Sequence, residues 1–130
     1  MAVVGDKLYY AAGALNFTTN IYIYSLKALE RGTARQLASF QTPVNFSYGG
    51  QMAADAGGNL YICQNARQVV KVNPTGQIVL TLPLGATEGC DGIAVDASGN
   101  IYAAGDDYVN GEVTTIHVFN PQGTQINTFN

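Results

Sequence analysis

Few side chains in this sequence carry reactive chemistry, and they are scattered along it. His117 is the single histidine, and Cys63 and Cys90 are the only cysteines. Two cysteines are too few for a disulfide framework. They read first as small buried apolar residues. A Cys63–Cys90 bridge is the second reading, for a chain that matures in an oxidising compartment. A cysteine nucleophile paired with His117 is the third. Asp106-Asp107-Tyr108-Val109-Asn110-Gly111-Glu112 is the most acidic stretch. It holds oxygen donors of the kind Ca²⁺ takes, yet the EF-hand spacing is absent and Asn-Gly sits where a hairpin needs it. It therefore reads as a solvated hairpin tip. Asn45, Tyr48, Arg67, Glu88 and Asp91 lie in loop-like segments. What they do together depends on the elements that position them.

Those elements repeat. Met52-Ala53-Ala54-Asp55-Ala56-Gly57-Gly58-Asn59-Leu60-Tyr61 lines up with Ile93-Ala94-Val95-Asp96-Ala97-Ser98-Gly99-Asn100-Ile101-Tyr102. Val72-Asn73-Pro74-Thr75-Gly76-Gln77-Ile78 lines up with Phe119 to Ile126, with one inserted residue. A weaker first copy starts at Val3-Val4-Gly5-Asp6-Lys7-Leu8-Tyr9, continues through Ile21-Tyr22-Ile23-Tyr24 and ends near Gln36 to Phe40. Tyr61 and Tyr102 are 41 residues apart, a spacing in the range of propeller blades.

Each unit reads as four strands. In the third these are Gly92 to Asp96, Asn100 to Ala104, Thr114 to Asn120 and Thr124 to Phe129, with the middle pair joined across Asn110-Gly111. Asp96 to Asn100 has turn chemistry, because the Asp side chain accepts from turn N–H groups and Gly99 supplies positive φ. The strands are apolar on both faces, as in Val69-Val70-Lys71-Val72. A sheet sandwiched between two others needs that. Ser25 to Arg31 is read as one short helical turn. The expected fold is thus all-β: a β-propeller of three four-stranded antiparallel blades, at about 1–41, 50–84 and 91–130, forming a single unit. A sandwich or small barrel is the rival, but neither needs identical turns at one period.

Composition narrows the function classes. Charged residues are 12% of the chain against 47% apolar, which leaves little solvated surface and argues against disorder. The net charge is −3 and the six basic residues are dispersed, so no stripe for nucleic acid exists. No apolar run approaches the roughly 18 residues of a membrane span. No basic region followed by an apolar core marks a signal peptide. The compartment stays open, cytoplasmic if the chain is complete. Asn16-Phe17-Thr18 and Asn45-Phe46-Ser47 match the glycosylation pattern, which counts only on a eukaryotic secretory route.

Asp91-Gly92-Ile93-Ala94-Val95-Asp96-Ala97-Ser98-Gly99-Asn100-Ile101-Tyr102, followed by Val118-Phe119-Asn120-Pro121-Gln122-Gly123, resembles the NHL-type and gluconolactonase-like family of six-bladed propellers. The family pattern runs P-x-G-(I/V)-A-V-D, G-N-(I/V)-Y-V-A-D, then (I/V)-x-V-(F/L). Residues 50–130 follow it over two units and residues 1–49 loosely. The family proline before the first strand is replaced by Cys90 and by Gly49, and only Arg67 offers the arginine common before the third strand.

The resemblance implies a site at the channel mouth, built by the loops Thr42 to Gln51, Pro83 to Asp91, Gly13 to Asn20, Gln64 to Arg67 and Gly105 to Val113. Asn45, Tyr48, Arg67, Glu88 and Asp91 are its candidates. In the enzymes of the family an Asp before Gly and the first strand holds a divalent cation, which places Asp91 as a ligand of Ca²⁺ or Mg²⁺. Glu88 and Asn45 are the nearest further donors, although neither lies in a matching motif. His117 falls on a strand and reads as a packed residue ahead of a general base. The recurrent Tyr9, Tyr61 and Tyr102 read as core.

Three blades cannot close a ring, and open outer blades expose two apolar faces. The expectation is a homodimer closing a six-bladed ring, with a longer propeller as the alternative. The first functional reading is a non-catalytic, cofactor-free scaffold that binds a small molecule or a protein. A divalent-metal lactonase- or lyase-like enzyme, complete only in the ring, is the second. A ligand-free structural piece is the third.

Overall fold

A computed structural model describes residues 1–19, 21–37, 42–43, 51–64, 67–107, 109, 111 and 113–130. Among them are twelve strands and no helix. The strands form three four-stranded antiparallel sheets, each from four consecutive strands. Sheet 1 contains β1 (Ala2–Val4), β2 (Lys7–Asn16), β3 (Ile21–Glu30) and β4 (Thr42–Pro43). Sheet 2 contains β5 (Met52–Ala54), β6 (Leu60–Gln64), β7 (Gln68–Val72) and β8 (Ile78–Pro83). Sheet 3 contains β9 (Glu88–Val95), β10 (Ile101–Asp107), β11 (Val113–Phe119) and β12 (Gln125–Phe129).

The three sheets share one register. Tyr9 stands opposite Ala2 and Ala28, Tyr61 opposite Ala53 and Lys71, and Tyr102 opposite Ala94 and Val118. Turn chemistry fixes it. Asn73 and Asn120 open identical turns, in which the side-chain oxygen accepts from the N–H two and four residues on. Val72 then pairs with Ile78, and Phe119 with Gln125, so the two turns have equal length. The expected one-residue insertion is absent, and Ile78 corresponds to Gln125 rather than to Ile126.

Two other local expectations are corrected. Ser25 to Glu30 lies in β3 and is not a helical turn. Leu26 and Ala28 alternate with the half-buried Lys27, and this period of two buries Leu26 and Ala28 against sheet 2. Asp107 stands opposite Val113, a register that leaves an odd number of residues between β10 and β11 and so does not fit a two-residue Asn110-Gly111 turn, although Gly111 does adopt φ +103°.

The sheets stack in chain order, and their first strands touch in sequence, β1 on β5 and β5 on β9. One core holds Tyr9, Leu26 and Ala28 against Leu60, Ile62 and Val72. A second holds Tyr61, Val69 and Leu82 against Ile101, Ala103 and Phe119. The strand alternation therefore gives each sheet two apolar faces. The forward face carries Tyr9, Tyr61 or Tyr102, and the rear face carries Leu8, Leu60 or Ile101. Each fully buried aliphatic or aromatic side chain contributes about 1.5–3 kcal/mol. Cys63, on the forward face of sheet 2, is disulfide-bonded to Cys90 of sheet 3, with Cα atoms 5.4 Å apart.

Candidate functional site

Arg67 and Glu88 are drawn to one end of the junction between sheets 2 and 3. Arg67 sits in the β6–β7 connection with φ +58°, a left-handed conformation that costs a residue with a Cβ roughly 1–2 kcal/mol. Its backbone carbonyl accepts from Leu84 N–H at 2.9 Å, and its exposed guanidinium donates to the Ala86 carbonyl. One residue thus grips the segment between β8 and β9 from both its backbone and its side chain.

Glu88 grips the same segment from the other side. Its carboxylate accepts from Gly85 N–H at 2.9 Å and lies 2.5 Å from His117 Nε2. Both side chains of the pair are close to nine-tenths buried. Gln125 Nε2 lies 3.4 Å from His117 Nδ1. The carboxylate needs the space that two glycines leave. A Cβ on Gly105 would stand 2.8 Å from Glu88 Oε2, and one on Gly85 would stand 2.6 Å from its Cδ.

Asp91 lies elsewhere on β9. Cys90 pairs with Gly105 and Gly92 with Ala104, which leaves Asp91 as the extra residue of a β-bulge. Its side chain is exposed. Asn45 and Tyr48 lie outside the described residues. Among the described residues no three His, Cys, Asp or Glu side chains converge in a way that could hold a metal ion. Glu88, the nearest expected co-ligand of Asp91, spends its carboxylate on Gly85 and His117.

The cysteines are oxidised, which corrects the first reading of them as free buried thiols. It also removes the thiolate that a Cys–His117 nucleophile needs. The bridge is the one given second in the sequence reading, and it crosses between two sheets. In the acidic stretch, Asp106 accepts from Thr114 Oγ1 at 2.6 Å and Asp107 from Val109 N–H at 3.0 Å. Both bonds are local to the hairpin.

The Asp turns recur as the sequence suggests, but the part that the tyrosine hydroxyls take in them escaped the sequence reading. Asp55 accepts from Asn59 N–H, from the Asn59 side chain and from Tyr61 Oη at 3.0 Å. Asp96 repeats this with Asn100 and with Tyr102 Oη at 3.3 Å. The recurrent tyrosine is thus core on its ring and a turn anchor on its hydroxyl. Burial opposes charge on Asp55, but the Asn59 and Tyr61 hydrogen bonds and the nearby Lys71 hold its carboxyl below the usual range. Asn100 and its backbone do the same for Asp96. Burial, then Asp55, raises the Tyr61 hydroxyl. Lys71 Nζ lies 5.3 Å over the Tyr61 ring and 4.0 Å from Asp55.

No family model matches the chain, and no curated protein does. Its fold is similar to the crystal structure of a protein of unknown function from Bacteroides caccae. The TM-score is 0.63 at 14% identity. The match covers 80% of this chain and only 36% of that one.

Proposed function

We propose that the chain is three consecutive blades of a β-propeller, acting as a non-catalytic binding scaffold. The supporting observation is the stack itself. Three sheets of one topology and one register pack face to face, with their first strands adjacent, and each carries two apolar faces. A sandwich pairs two sheets and leaves outer faces polar. Here the Arg67 and Glu88 clasps hold the β8–β9 segment as a shaped loop, a pattern suited to presenting a surface rather than to turning over a substrate. The ligand class is a small molecule or a protein.

The second reading, a metal-dependent lactonase- or lyase-like enzyme, rests on Asp91 at its bulge, since bulges often aim a side chain at a site. Thermal melting with Ca²⁺ and with Mg²⁺ separates the two readings. The scaffold predicts that millimolar cation leaves the melting temperature unchanged in wild type and in Asp91→Ala alike. A rise in wild type that Asp91→Ala abolishes would move the assignment to the metal enzyme.

A further inference from the structure

We infer that the forward face of sheet 3 docks the rear face of sheet 1 of a second copy of this chain. The inference rests on the propeller reading and names the partner that completes it. Register equates Tyr102, Ile116 and Phe129 of sheet 3 with Tyr61, Val69 and Leu82 of sheet 2. Those three residues of sheet 2 are 0% exposed, because sheet 3 covers them. Ile116 and Phe129, by contrast, are 39% and 51% exposed.

The counterpart surface stands open at the other end of the stack. Leu8 and Leu29 of sheet 1 match Ile101 and Phe119 of sheet 3 in register, and the latter pair is fully packed against sheet 2. Val3, which pairs with Leu8, is 50% exposed. The chain therefore carries both halves of one interface at opposite ends, and its own interior shows what each half packs against. A second copy brings the halves together. The contact is heterologous, forward face to rear face, and two such seams close a ring of six sheets with two-fold symmetry.

Two exposed positions test this without touching the folded core. Phe129→Asp breaks the forward face of sheet 3, and Val3→Asp breaks the rear face of sheet 1. Each variant alone pairs at least about thirtyfold more weakly than wild type, read by native mass spectrometry. Mixing the two restores one intact seam, so a heterodimer appears at concentrations where each variant alone is monomeric. Failure of the mixture to pair, with wild type dimeric, means like faces meet and overturns the proposal. A monomeric wild type overturns it too, and leaves the faces to further sheets of a longer chain. Thiol titration of the same samples keeps the two levels apart. An intact Cys63–Cys90 bridge means that the stacking of sheets 2 and 3 stands whatever the pairing result, whereas free thiols in air-oxidised protein remove the stacking on which the inference rests.

Discussion

Sheets 2 and 3 have nearly the same sequence signature, yet their forward faces have opposite fates. Tyr61 is completely buried, while Tyr102 is half-buried at the same register position. Leu82 is lost from solvent, and its counterpart Phe129 is half-exposed. The turns and anchoring carboxylates are matched, although β9 is longer than β5 and carries a bulge. The difference lies in the neighbour, since one face has a sheet on it and the other does not. Burial here is a property of position in the stack, not of the strand's own residues. The central position of each face refines this. Sheet 2 tolerates Lys71 inside a covered interface because Asp55 and the Tyr61 ring receive its charge. Sheet 3 places Val118 there, an apolar residue that is only 4% exposed although no sheet covers it.

The largest contrast comes from the tyrosines. Tyr61→Ala should cost about 3–5 kcal/mol in urea unfolding, as a large side chain removed from a packed core. Tyr102→Ala, measured where copies do not pair, should cost less than half of that. Equal losses would mean that the two faces are equally covered within one chain. Replacing both cysteines with Ala should cost about 3–4 kcal/mol, because the bridge spans 27 residues and restricts the unfolded chain. Since it ties sheet 2 to sheet 3, its loss should raise amide exchange in β9 before β1.

Acid sensitivity sharpens the same comparison. The folded-state pKa values of Asp55 and Asp96 are depressed, so the stability they supply is complete above the ordinary carboxylate range. It is lost as pH falls through that range toward the lower folded-state values. Asp55→Asn should flatten the acid limb of a stability–pH curve more than Asp96→Asn, because Asp55 sits deeper and also faces Lys71. The smallest effect expected is for Gly105→Ala. The added methyl pushes on the Glu88 carboxylate, which has a flexible stem, so the cost should be about 1 kcal/mol. The His117 ring resonances should nonetheless shift clearly in an NMR spectrum.

The repeat was legible because its turns are local chemistry. Asp-x-x-x-Asn-x-Tyr and Asn-Pro-x-Gly carry their own hydrogen bonds, and strands of period two follow between them. Both all-β character and the division into four-strand units could be read this way. Ser25 to Arg31 misled because its local pattern admits a helical turn, and only the pairing of Leu8 with Leu29 and of Tyr9 with Ala28 decides for a strand. The disulfide ranked only second among the readings of the cysteines, and the Glu88–His117 pair was not seen, for another reason. Each joins residues 27 or 29 apart whose approach depends on how sheets stack and strands pair. No spacing rule reports that. Of the five candidate site residues, Arg67 and Glu88 each hydrogen-bond within the segment between β8 and β9, Asp91 lies on its bulge, and Asn45 and Tyr48 lie outside the described residues.

The account turns on whether the open forward face of sheet 3 behaves as the covered face of sheet 2 does. Absolute mass by light scattering behind a sizing column, over a range of concentrations, tests this most directly. The account predicts a defined species at twice the 13.7 kDa chain mass, persisting on dilution. A folded monomer at every concentration would contradict it.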